Sequence, residues 1–177
     1  MKIKINLNDS SSYGPGDTTD IWDAAETGYL PAVFFYYTQD IKCLGLINKN
    51  SDRMTPLHYA ARNGHLNIVK FLAYKKVQND VFAGKLQETA LMMASLAGHA
   101  VVVDFLLDMG AKINLTNLRQ HNSLHIAISN GHLDVVKLLV QRNVNRFSKD
   151  FSGRTPLDLA IQLKKIDIKD YLEQLIK

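Results

Sequence analysis

Six histidines, a single cysteine and a Gly14-Pro15-Gly16 triplet are the residues of this 177-residue chain with the clearest capacity for chemistry. Zinc needs several side chains converging on one point at about 2.0–2.3 Å. The histidine spacing argues against that. His58 and His125 each stand three residues after a Thr or Asn, and His65, His99 and His132 each follow a glycine. Histidines at the same position of successive stacked helix pairs are separated by about 10 Å, too far to share an ion. Their expected role is structural hydrogen bonding, and only His121 falls outside the pattern. Cys43 has no histidine near it in sequence to act as its base. Gly14-Pro15-Gly16 lacks the lysine and helix that complete a phosphate-binding loop. No catalytic residue, cofactor or metal site is expected.

The elements around these residues repeat. In Thr55-Pro56-Leu57-His58-Tyr59-Ala60-Ala61-Arg62-Asn63-Gly64-His65, the threonine is a good N-cap and the proline sits where a helix needs no N–H. Gly64 ends that helix, and Leu66, Ile68, Val69 and Leu72 begin a second apolar helical pattern. The same grammar returns at Thr89 to His99, at Asn122 to His132 and from Thr155. Leu57, Leu91, Leu124 and Leu157 lie 34, 33 and 33 residues apart, and Ala60, Ala94, Ala127 and Ala160 keep that register. An earlier, degenerate copy begins at Ile21-Trp22-Asp23-Ala24-Ala25, with Ala24 and Ala60 separated by 36. The extra length predicts an irregular loop over 38–50, and Trp22 is expected to pack the N-terminal end. Asn122 replaces threonine but remains a competent cap. Met92 and Met93 read as adaptable core filler and Leu96 as a sticky position on the groove side. In the last copy Lys164-Lys165 stands in place of Gly-His, which predicts a C-terminal cap with lysines facing water.

A period of 33 residues built on these motifs resembles the ankyrin-repeat family. The resemblance implies an all-α solenoid of stacked helix-turn-helix pairs with projecting loops or β-hairpins. It covers residues 19–177, with repeats at 19–50, 51–83, 84–116, 117–149 and 150–177. Residues 1–18 form an arm outside it, strand-like and then linker-like. That arm could lie on the first repeat, add a strand to a partner or stay unstructured. Family binding surfaces usually use the exposed face of the inner helices and the tips. The matching inner-helix positions include Arg62 and Asn63, Leu96, and Ser129 and Asn130. At the tips they are Asp52 and Met54; Lys85, Leu86 and Glu88; Leu118, Arg119 and His121; and Phe151 and Arg154. Aliphatic, aromatic and arginine anchors among polar residues suit a protein interface.

Composition narrows the function classes. The chain carries 21 basic and 17 acidic residues, a net charge of +4. These charges are interspersed, so no phosphate-tracking stripe is expected and no nucleic acid is implied. Lys75-Lys76 reads as a solvated face. One cysteine and no apolar leader predict a reducing, cytoplasmic location, no membrane and a monomer. The expected function is a non-enzymatic adaptor, scaffold or competitive inhibitor that holds a protein partner. An effector delivered by an intracellular bacterium into host cytoplasm or nucleus and a regulatory protein of a eukaryotic cell both fit. The alternative is an enzyme, or the targeting subunit of one, that uses the N-terminal arm.

Overall fold

A computed structural model describes residues 20–48 and 53–176. The expected N-terminal arm and Asp52 lie outside the described residues. Among those residues ten α-helices follow one another as five pairs: α1 (Ile21–Thr27) and α2 (Leu30–Gln39), α3 (Pro56–Arg62) and α4 (Leu66–Tyr74), α5 (Ala90–Ala97) and α6 (Ala100–Asp108), α7 (Ser123–Asn130) and α8 (Leu133–Gln141), α9 (Pro156–Gln162) and α10 (Ile166–Gln174). None of them is long and apolar enough to cross a membrane.

Caps start the inner helices as the residue types dictate. Thr89 Oγ1 accepts from the Met92 N–H at 3.3 Å, and Asn122 Oδ1 accepts from the His125 N–H at 3.1 Å. Thr155 and Asp158 bond reciprocally, Asp158 Oδ2 taking the Thr155 N–H at 2.9 Å. The inner helices α1, α3, α5, α7 and α9 stack in sequence, and the outer helices form a second layer behind them. Ala60, Ala94, Ala127 and Ala160 are fully buried, and their small side chains let neighbouring inner helices approach. Leu57, Leu91 and Leu124 fill the space between, with Met92 and Met93 buried beside them. Leu157, in the same register, is only half-buried, because among the described residues α9 packs against an inner helix on one side only.

Each described tip is closed by backbone hydrogen bonds, and only Ala83 with Glu88 makes an antiparallel bridge among the described residues. Asn48 N–H donates to Met54 O at 2.8 Å, Asn117 N–H to His121 O at 3.0 Å and Asp150 N–H to Arg154 O at 2.9 Å.

The first connection is more ordered than expected. After α2 the chain makes a 3-10 helix, Ile41–Gly45, whose start is capped by Asp40 Oδ1 accepting from the Lys42 N–H at 2.9 Å. Trp22 contributes to this loop: its indole N–H donates to Leu46 O at 3.1 Å, clamping the loop over the first pair. Cys43 lies within this 3-10 helix with its side chain buried, and burial, with Asp40 nearby, pushes its thiol up to about 11. It therefore stays a protonated, unreactive thiol near neutral pH.

At the other end Lys164 faces solvent as expected while Lys165 is half-buried, and Ile161, Leu163 and Ile166 are exposed beside them among the described residues.

Candidate protein-binding surface

The histidines are committed to holding the stack. His58 Nδ1 accepts from the Thr55 N–H at 3.3 Å and sits 2.7 Å from Thr55 Oγ1, whose hydroxyl can donate to it. The proton therefore belongs on Nε2, which reaches forward to Val81 O at 3.0 Å and Glu88 O at 3.1 Å in the next tip. His125 sits in the same frame but carries its proton on the other nitrogen. Asn122 donates its amide N–H groups to Asn145 O and Ser148 Oγ, so its oxygen faces His125 Nδ1 at 2.7 Å and can only accept. The other side of the His125 ring is buried against the backbone of Ser148 and Arg154, as His58 is against that of Val81 and Glu88. His65 and His132 reach backward, their Nε2 atoms donating to Glu26 O at 2.9 Å and Leu96 O at 3.0 Å.

Burial holds the His58 imidazole down to about 4; burial and then the neighbouring His121 do the same for His125. Below about 6.5 the unfolded chain takes up protons there that the folded chain refuses. Acid therefore destabilises the fold through the window from about 6.5 to 4. The expected loss is at most about 1.4 kcal/mol per pH unit for each histidine. Urea unfolding at pH 7 and pH 4.5 should show the midpoint fall on acidification; a flat profile would remove both histidines from the stability of the stack.

The inner-helix candidates line one face. Arg62 pairs with Glu26 at 2.9 Å and lies over the Tyr59 ring, its carbon 5.4 Å from the centroid. Asn63 donates to Tyr59 O at 3.1 Å, Ser129 to His125 O at 2.9 Å and Asn130 to Ile126 O at 2.9 Å, so these polar groups are partly occupied by their own helices. Leu96 is exposed among them.

The tips are joined to one another. Leu118 N–H donates to Leu86 O at 2.9 Å, and Phe151 N–H donates to Arg119 O at 3.0 Å. Three successive tips thus form one continuous ledge. Its rim carries exposed Lys85 and Arg119, half-buried Leu86, and Leu118 and Phe151 at 64% and 78% exposure.

Four tip residues are placed otherwise than expected. Met54, 6% exposed, belongs to the core between repeats, and the Arg62 guanidinium covers its sulfur at 4.0 Å. Glu88, 8% exposed, turns inward to accept from Asn117 Nδ2 at 3.1 Å. Burial removes both from the contact surface. His121 is half-buried: its ring stacks on His125 with centroids 5.4 Å apart, and its Nε2 lies 3.5 Å from Asp150 Oδ2. Arg154 spends its guanidinium on Asp150, with Nε to Oδ2 at 2.8 Å. The centre of this network, Asp150, was missed in the sequence. Burial alone would push its carboxyl up, but Arg154 and the N–H groups of Ser152 and Arg154 hold it well below the usual carboxylate range. The signal was legible: Asn117 stands 33 residues earlier and its Oδ1 likewise accepts from the N–H groups two and four residues on.

Among the described residues no group of three or more His, Cys, Asp and Glu side chains is placed to hold a metal ion. The three joined tips thus present an apolar and cationic ledge along one edge of the stack.

Comparison with known proteins agrees with that architecture. Residues 21–117 match a family profile described as ankyrin repeats in three copies, and residues 110–160 match one for ankyrin repeats in many copies. Inversin of Canis lupus familiaris is 36% identical over 124 residues, covering 67% of this chain and 11% of inversin. The palmitoyltransferase AKR1 of Lachancea kluyveri is 33% identical over 85 residues, 48% of this chain and 12% of that protein. Against these large relatives, the chain spans only about a tenth of their length, so their names say little about it. The ankyrin repeat protein FPV223 of fowlpox virus differs in scale, being 33% identical over 123 residues that make up 69% of this chain and 84% of the viral protein. With the helix pairs, the 33-residue register and these matches in agreement, the chain belongs to the ankyrin-repeat family.

Proposed function

We propose that residues 19–177 act as a non-enzymatic recognition module that holds one protein partner along the ledge from Leu86 through Leu118 and Arg119 to Phe151, with Leu96 at its inner edge. The observation that carries this reading is the hydrogen-bonded continuity of the tips, which joins the backbone segments that bear Leu86, Leu118, Arg119 and Phe151. Pre-ordering limits the entropy lost on association. The partner is an extended segment with apolar side chains to meet Leu118 and Phe151 and a carboxylate to meet Arg119. Such a module serves as an adaptor, a scaffold or a competitive inhibitor. A single cysteine, which has no partner for an internal disulfide, fits a reducing, cytoplasmic compartment, and the interspersed charges support a protein partner over nucleic acid.

Affinity capture from lysate should be run with the unaltered chain and with a triple variant, Leu96→Arg, Arg119→Glu and Phe151→Ala. All three side chains are exposed, so the variant's helical circular dichroism should match the parent's. A protein captured by the parent and lost with the variant supports the ledge. The same protein captured equally by both would overturn it.

A further inference from the structure

The longest interval in the register builds a cavity that the ledge does not use. Between Ala24 and Ala60 the chain takes 36 residues where later copies take 33 or 34. The surplus lies in the connection containing the 3-10 helix, which walls a cavity of about 510 Å³ against the C-terminal end of α4. Its lining includes Tyr37, Ile41 and Lys42 on one side and Tyr74, Lys75 and Lys76 on the other, and no inner-helix residue.

Three lysines therefore line one open concavity, and none of the three pairs with a carboxylate among the described residues. The nearby Asp40 carboxylate already caps the 3-10 helix. Lys75 is held in place: its Nζ lies 4.2 Å from the Tyr37 ring centroid and 5.6 and 5.7 Å from those of Phe71 and Tyr74, and donates to Tyr37 Oη at 3.1 Å. Rings around an ammonium fix its position and stand in for part of its hydration. One N–H goes to Tyr37, which leaves donors for an incoming anion. Lys76 follows Lys75 in the turn after α4 and is exposed. The rim is apolar, Ile41 and Tyr74 being exposed to 65% and 67%.

We infer that this cavity is a second binding site, on the outer-helix side, for an acidic peptide segment that carries an aromatic or aliphatic side chain beside its carboxylates. Charge complementarity selects the carboxylates, and Ile41 and Tyr74 flank the apolar side chain.

Amide chemical-shift mapping of the full chain tests this with two probes, acetyl-Glu-Phe-Glu-amide and its Gln-Phe-Gln counterpart. The Glu-Phe-Glu probe should shift the amides of residues 41–45 and 75–78. The Gln-Phe-Gln probe should bind about tenfold more weakly, and Lys42→Glu with Lys76→Glu should weaken the acidic probe by a similar factor. Both lysines are exposed, so the double variant's spectrum elsewhere should be unchanged. The ledge triple variant should bind the acidic probe as the parent does, which separates this site from the ledge. Equal binding of both probes, or shifts confined to the tips, would overturn the proposal. So would lysine-dependent binding to phosphatidylserine vesicles with no response to the peptide, which would assign the site to a lipid surface.

Discussion

Leu124→Ala should lower the stability of the array by about 3 kcal/mol, and Leu157→Ala by about 1 kcal/mol. The two leucines occupy the same register position, but Leu124 is fully buried between α5 and α9 while Leu157 has a neighbour on one side only. Truncating Leu124 leaves a cavity lined by side chains that already pack against two other repeats and have little room to relax. At Leu157 the vacated space opens toward solvent and closes at low cost. Chemical denaturation of the three proteins measures the difference. Equal losses would mean that the stack does not derive its stability from the boundaries between repeats, contrary to nearest-neighbour behaviour in solenoids.

Gly98→Ala should be about as damaging as Leu124→Ala, while Gly131→Ala should cost only about 1–2 kcal/mol. Both glycines end inner helices with a left-handed φ, +81 and +80, so alanine meets the same backbone penalty at each. What differs is the neighbour. A Cβ on Gly98 would lie 2.6 Å from His132 Nδ1, on a rigid ring tied by its other nitrogen to Leu96 O. A Cβ on Gly131 would meet the end of the flexible Lys165 side chain at 3.1 Å, which can swing aside. Thermal unfolding should rank the variants parent, Gly131→Ala, Gly98→Ala. If they unfold together, the ring is free to move and the backward histidine bonds contribute little.

The same distinction between local and cross-repeat constraints decides what could be read from the sequence. Helix starts and ends were legible because Thr89, Asn122 and Gly98 act on their own backbone within a few residues. Asn122 kept its cap as its chemistry predicts. The exposure of Met54, Glu88 and His121 was not legible, because each is decided by a residue on a different helix or tip. Glu88 turns inward to meet Asn117, 29 positions later, and His121 turns toward Asp150 across the next tip. Lys75 reads as an ordinary surface lysine until Tyr37, 38 residues earlier, is brought under it. The cavity beside it arises where the register breaks, and periodicity carries no information there.

The joint before the last pair differs from those before it. At the corresponding joints a histidine ring seats on the preceding turn glycine, as His65 does on Gly28, His99 on Gly64 and His132 on Gly98; here Lys165 rests a mobile amine on Gly131. Amide hydrogens of α9 and α10 should therefore exchange with solvent deuterium sooner than those of α5 and α7, by local opening rather than global unfolding. Phe151 sits just ahead of α9 and is bonded to Arg119 on the preceding tip. A partner gripping both residues would splice that joint, and its arrival would register as slowed exchange in two helices it never touches.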